Sequence, residues 1–297
     1  MTTRRLSRRG FLTGATATAL AVPALAVPAL ARPVLADVPD VPDTAMGQRV
    51  PNPALGQQWY MIRTLLDQDF EGTWARVADL GYRNIELGPS LFGRTPAQLR
   101  ELFDSLKLKV VSRMVSLQIV RNTFEAAVEE SLALGVRYLR CNSIPASQNT
   151  LDGYRQIARD FNAAGAIARE AGIRFGHHNH LREFQPIDGV VPLELLLAET
   201  DPHLFDLQLD IGWAVRAGVD VIDFMTAHPY RVGTFHLKDV AADGSEAAIG
   251  AGTIDWAAIY DFASRQRVRM SIVDLDNPPD PWASVSASYS YLRQLTF

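Results

Sequence analysis

Residues 206–213, DLQLDIGW, decide how the rest of the chain is read. Side chains alternate across a β-strand, so Leu207, Leu209 and Ile211 share one face and Gln208 and Asp210 the other. Such a strand packs hydrocarbon on one side and carries polar groups to its end on the other. Comparable runs recur at 56–62 (GQQWYMI), 83–87 (RNIEL), 109–115 (KVVSRMV), 137–141 (RYLRC), 173–178 (IRFGHH), 232–237 (VGTFHL) and 269–275 (RMSIVDL). Amphipathic stretches separate them at 69–81, 96–107, 123–135, 154–172, 192–199, 221–227 and 255–266, and 282–295 closes the chain. Gly81, Gly135 and Gly172 stand where helices would stop. Eight strands alternating with eight helices predict an α/β fold of the (β/α)8 TIM-barrel type. The glycine-rich first turn expected of an open doubly wound sheet is missing: there is no G-x-G-x-x-G and no phosphate loop.

The barrel reading starts near Leu55 and runs to residue 297. Ahead of it, Ser7-Arg8-Arg9-Gly10-Phe11-Leu12 followed by an apolar, alanine-rich run predicts a twin-arginine signal peptide over 1–36, cleaved after Ala31 or Ala36. Pro23, Pro28 and Pro33 interrupt that run, which argues against a stable membrane anchor. Residues 37–54 read as a proline-rich linker. The expected destination is the periplasm or the extracellular space, reached through the twin-arginine translocation machinery. Five of the 29 basic residues and none of the 33 acidic ones lie in 1–36, so the mature chain keeps 24 against 33, a net charge of −9. That balance disfavours nucleic acid as a partner. Cys141 is the single cysteine, so no internal disulfide forms, and a small residue in a buried strand is its expected role.

In a (β/α)8 barrel the reacting groups come from the C-terminal ends of the strands. In RFGHHNH, Gly176, His178 and His180 share a face, and Phe175 and His177 point the other way. In VGTFHLKDV the polar face holds Thr234, His236 and Lys238, and in SIVDLDNP it holds Asp274 and Asp276. Four successive strands thus end in His178, Asp210, His236 and Asp274. Two imidazoles and two carboxylates at one mouth suit a divalent metal ion such as Mn, Co, Zn or Mg. Plainer readings compete: His180 as a loop-orienting group, Asp276 as a turn residue before Asn277-Pro278, and Lys238-Asp239 as a solvated pair.

The pieces DFEGTWARVADLGYRNIELG, GIRFGHHNHLREF, LQLDIGWAVRAGVDVIDF, FHLKDV, GAGTIDWAAI and DLDNPPDPWASVSASYSYLRQL together resemble the sugar phosphate isomerase/epimerase family of xylose isomerase-like barrels. Within it the chain looks like an exported branch. The resemblance runs from about Leu55 to the C-terminus. It implies a metal held at His178, Asp210, His236 and Asp274, the set that alternation picks out. Many relatives carry glutamate at the positions of His178 and Asp274, and those glutamates move the proton. Asp274 is one methylene shorter. Relatives also often have histidine at the place of Met114. The two-glutamate proton relay therefore does not carry over.

The implied chemistry is enolisation, in which a metal polarises a sugar carbonyl and a neighbouring base removes the α-proton. Candidates for the base are His178, His180, Glu183, Asp274 and Lys238. Glu86 is expected to bond a substrate hydroxyl, and Arg63, at the end of the first strand, an anionic or hydroxyl group or a barrel-mouth salt bridge. Trp59, Tyr60, Trp213 and Trp256 offer flat surfaces for a sugar ring, alongside Asp276. The substrate class is a non-phosphorylated carbohydrate, since sugar phosphates are cytoplasmic. Proton return gives an isomerase or epimerase. Loss of a β-leaving group gives a keto-glycoside lyase or an inosose-dehydratase-like enzyme, and a sugar-binding barrel without catalysis is the third reading. An abasic-site endonuclease is disfavoured by charge and by the leader. Replacing Arg8 and Arg9 with lysine should leave soluble, full-length precursor in the cytoplasm, as fractionation would show; unchanged export would sink the leader assignment.

Overall fold

The computed structural model describes residues 49–51, 54–266 and 268–297. The expected signal peptide lies outside them, as does most of the linker. Eight parallel strands close into a barrel in chain order: β1 (Leu55–Gln58), β2 (Asn84–Leu87), β3 (Lys109–Val115), β4 (Tyr138–Cys141), β5 (Arg174–His178), β6 (Phe205–Asp210), β7 (Val232–Leu237) and β10 (Met270–Val273). The last pairs back onto β1, with Gly56 opposite Ile272. Two short strands, β8 (Asp239–Val240) and β9 (Glu246–Ala247), make an antiparallel ribbon just after β7.

The outer layer consists of α2 (Phe70–Leu80), α3 (Pro96–Ser105), α5 (Phe124–Leu134), α6 (Leu151–Glu170), α7 (Pro192–Glu199), α9 (Val221–Ala227), α10 (Trp256–Ser264) and α11 (Pro281–Gln294). Local chemistry sets their ends. Asp69 caps α2 by accepting from the Gly72 amide at 2.9 Å, and Thr95 and Gln98 form a reciprocal capping box on α3. Gly81 ends α2 at a φ of 109°, a left-handed conformation that favours glycine. Three short helices, α1 (Arg63–Gln68), α4 (Leu117–Asn122) and α8 (Ile211–Arg216), follow β1, β3 and β6 at the mouth. None of the described helices is long and apolar enough to cross a membrane.

The first strand is shorter than GQQWYMI predicts. Its backbone turns after Gln58, whose Oε1 accepts from the amides of Tyr60 and Met61, while the Ile62 amide donates to the Trp59 carbonyl at 3.1 Å. Residues 60–62 therefore form a 3-10 turn, and Arg63 begins a helix instead of ending a strand. Ahead of β1, Val50 is buried and its carbonyl accepts from Arg293 Nη1 at 2.8 Å.

The apolar faces pack outward against the helices in one large cluster, and Val111, Tyr138, Met270 and Ile272 form a separate small one. The lower interior is charged. Arg140 pairs with Asp206, reaches Thr234 Oγ1 at 3.2 Å, and Asp206 also accepts from Arg174 Nε at 2.7 Å. Arg140, Asp206 and Thr234 are all buried, so each needs these partners. Gly176 leaves room for them: a Cβ there would overlap the Arg140 guanidinium and the Asp206 carbonyl. Gly176→Ala should destabilise the barrel by about 1–3 kcal/mol in chemical denaturation, and an unchanged midpoint would contradict this packing.

Candidate active site

Four strand ends converge at the barrel mouth. β5 delivers His178, β6 Asp210 and β7 His236, and their potential ligand atoms lie within 4.8 Å of one another. All three are buried. Asp274, one residue past β10, stands outside that tight set but touches it, with Oδ2 3.4 Å from His236 Nδ1. The alternation that singles out these four residues therefore holds in three dimensions. Aspartate's short side chain keeps the fourth member at the edge.

Asp210 is held from three sides. Its Oδ1 caps α8 by accepting from the Trp213 amide at 2.8 Å, and its own amide donates to Asn179 Oδ1 at 3.0 Å. Asn179 Nδ2 returns a bond to the Asp210 carbonyl at 3.4 Å. Asn179 is buried between two of the clustered histidines, and sequence reading gave it no role; its place between them was the available signal.

Lys238 is the cation of the cluster. Its Nζ lies 3.4 Å from Asp210 Oδ2, 3.4 Å from Asp274 Oδ2 and 2.8 Å from Asp276 Oδ2, and it faces the Trp213 ring at 4.9 Å. Lys238 and Asp239 are thus a buried pair, not a solvated one. Burial disfavours the ammonium, but Asp210, Asp274 and Asp276 together raise its pKa. Burial outweighs Lys238 at Asp210 and lifts that carboxyl to about 6. Asp274 moves the other way: burial resists its charge, but Lys238 and His236 lower its pKa.

The histidines divide by face as alternation predicts. His178 and His236 have ring centroids 4.4 Å apart, and His180 stands edge-on to His178 at 4.6 Å. Burial and the cationic neighbours hold His178 well below the usual imidazole range, so it is neutral, and burial lowers His180 as well. His177 packs outward against Phe161, with Nδ1 3.0 Å from the Cys141 carbonyl. Burial also opposes a charged His236, yet Glu86 and Asp274 more than compensate and push it up to about 10.

Several expected contacts fall elsewhere. Glu86 does not reach a substrate hydroxyl; it is fully buried inside the barrel and bonded to Ser112, Gln208 and His236. Glu183 accepts from the His180 amide at 2.8 Å and lies 3.9 Å from His177, because the 3-10 turn after β5 directs its carboxylate to the helix side. Arg63 spends its guanidinium on the carbonyls of Tyr60 and Asp276 and on Asn277 Oδ1, which makes it a tie between loops. Trp256 is core, donating to Asp239 Oδ2 at 2.9 Å. Asp276 is taken up by Lys238. Trp213 and Trp59 remain partly exposed at the mouth. Trp213 lies 6.1 Å from His180, and Trp59 packs edge-on to Phe92 at 5.8 Å. Glu246, on β9, links the walls by accepting from the Asp276 amide at 2.8 Å and lying 3.7 Å from Arg216. Its position in sequence, inside a polar loop, gave no hint of this.

A divalent cation fits these residues on one specific observation. His178 Nδ1, Asp210 Oδ2, His236 Nδ1 and Asp274 Oδ1 are all buried with no hydrogen-bond partner among the described residues. Asp210 Oδ2 and His236 Nδ1 have 3.4 Å ion-pair neighbours in Lys238 and Asp274, whereas His178 Nδ1 and Asp274 Oδ1 have neither, and buried polar atoms left so cost free energy unless something binds there. Imidazole and carboxylate donors suit zinc and its first-row neighbours.

Residues 74–289 match the xylose isomerase-like TIM barrel family, and the chain belongs to it. An inosose dehydratase of Geobacillus kaustophilus is 23% identical over 192 residues, covering 57% of this chain and 61% of that enzyme, so the chain spans about three-fifths of the relative's length. Among solved structures, a sugar phosphate isomerase/epimerase of Parabacteroides distasonis superimposes with a TM-score of 0.71 at 24% identity, over 82% of this chain and 94% of its own. The IOLI protein with a bound zinc atom superimposes with a TM-score of 0.63 at 14% identity, over 80% of this chain and 96% of its own.

Asp210→Ala or His236→Ala should lose Zn²⁺ in equilibrium dialysis by more than the roughly 10–100-fold that loss of an outer hydrogen-bond partner costs, with the thermal transition retained. His178→Ala should weaken binding far more than His177→Ala. Equal effects of those two would refute the face assignment.

Proposed function

We propose that the chain is a divalent-metal-dependent enzyme that enolises a non-phosphorylated sugar or keto-sugar, working as an isomerase or epimerase. The observation that carries this reading is the convergence of His178, Asp210, His236 and Asp274, each with a buried polar atom lacking a hydrogen-bond partner. A bound divalent cation would supply Lewis-acid polarisation of the substrate carbonyl. The chain's own groups do the rest. Lys238, kept charged by three carboxylates, donates to the oxygen on which negative charge develops. His180 takes the α-proton: its ring touches His178 and faces Trp213, and it is partly exposed where Glu183 is not. Trp213 and Trp59 form walls against which the apolar face of a sugar lies. The Ser7–Leu12 motif supports export to the periplasm or beyond, and with it an unphosphorylated substrate.

The lyase reading stays beside it, because the curated relative is an inosose dehydratase. Both begin with the same proton abstraction and part afterwards. A panel of keto-sugars, aldoses and inososes incubated with Zn²⁺- or Mn²⁺-loaded protein in heavy water should gain deuterium at the carbon next to the carbonyl. A product of unchanged formula apart from the label marks isomerisation or epimerisation; an unsaturated product with a released group marks elimination. His180→Ala should slow exchange about 10²–10⁴-fold while keeping its metal. Absence of exchange across the panel would favour a sugar-binding barrel without catalysis.

A further inference from the structure

The interior of the barrel directly beneath His236 is occupied by Glu86, a fully buried carboxylate from β2. Its Oε1 lies 2.6 Å from His236 Nε2. Its Oε2 accepts from Ser112 Oγ of β3 at 2.6 Å and from Gln208 Nε2 of β6 at 2.8 Å. Three neighbouring groups thus fix the carboxylate, and no oxygen is left for a substrate.

We propose that Glu86 is a positioning residue that pins His236 with its proton on Nε2 and turns Nδ1 toward the cation-binding cluster. Oε2 takes its hydrogens from Ser112 and Gln208, and a carboxylate that also accepts at Oε1 makes the His236 Nε2–H, 2.6 Å away, its third donor. Nδ1 is then the ring atom that faces the cluster, 3.4 Å from Asp274 Oδ2, and the one that a cation would meet once its proton is displaced. Gln208 serves two ends of this arrangement, since it holds Glu86 from the strand that also carries Asp210, two residues later. The metal ligands of β6 and β7 are therefore registered to each other through β2. A carboxylate behind a histidine ligand fixes ring orientation and raises the basicity of the ligating nitrogen.

The proposal rests on the reading that the cluster holds a divalent cation, and two measurements separate the two. In protein labelled with ¹⁵N-histidine, His236 should show a far-downfield, slowly exchanging Nε2–H proton without metal and with Zn²⁺, and the Nδ1 signal should shift on adding Zn²⁺. Glu86→Leu should lose the protected proton and bind Zn²⁺ about 10–100-fold more weakly. Glu86→Gln keeps an accepting oxygen and the shape, so it should fold even where Glu86→Leu does not, with a less deshielded proton and a smaller loss of Zn²⁺ affinity. A zinc-loaded wild type whose His236 proton sits on Nδ1 and not on Nε2 would overturn the proposal, as would wild-type Zn²⁺ affinity in Glu86→Gln with an unmoved proton. Wild-type protein that binds no Zn²⁺ would instead remove the metal reading, and the Nε2–H signal and its loss in the variants would still decide the role of Glu86.

Discussion

A lysine ammonium removed from water has to be surrounded by negative charge, and the mouth of this barrel is arranged around one. Lys238 is fully buried on the end of β7, where an unpaired charge would cost several kcal/mol. Asp210 comes to it from β6, and Asp274 and Asp276 from the end of β10. Each carboxylate is then fixed by something else: Asp210 by the first turn of α8 and by Asn179, Asp276 by the loop that Glu246 and Arg63 hold in place. The geometry of the clustered oxygens and nitrogens follows from these ties more than from the strands alone.

The same arrangement makes a mixed-charge site in which three carboxylates surround one ammonium. His178 and His180, whose imidazoles burial holds below their usual range, stand on one side, and Lys238 with its carboxylates on the other. A cation entering such a cluster meets oriented oxygens and nitrogens already held apart, so little reorganisation is required when it arrives. A relative named for dehydration and a structural neighbour named for isomerisation are similar to this chain, and function resides in the site and not in the barrel.

The strand count, the barrel and the mouth residues were legible because a period of two is a geometric property of any strand: knowing Leu207 and Leu209 face helices is enough to aim Asp210 inward. Depth was not legible. Glu86 and His178 both face the interior, but alternation does not say how far along the barrel axis each lies; strand stagger decides that, and it places Glu86 opposite Gln58 and Ser112. Local hydrogen bonds defeated the pattern in two further places. Gln58 folds its own amide back onto the next turn and ends β1 early, which removed Arg63 from a strand end. The 3-10 turn after β5 places the Glu183 carboxylate against the His180 amide and 3.9 Å from His177. Partners from loops, such as Glu246, leave no periodic trace at all.

The charged floor made by Arg140, Asp206 and Thr234 has a bearing on proton traffic. With the guanidinium wedged over Gly176 and the Val111–Met270 hydrocarbon cluster also inside the barrel, the barrel is a vessel stoppered at one end. On the proposed function, a sugar bound beside Trp213 and His180 would itself be the cork, and a proton taken from carbon would be shielded from bulk solvent until the product leaves. Whether the abstracted hydrogen returned to the same molecule or was washed out would then be governed by how tightly the sugar seals that rim.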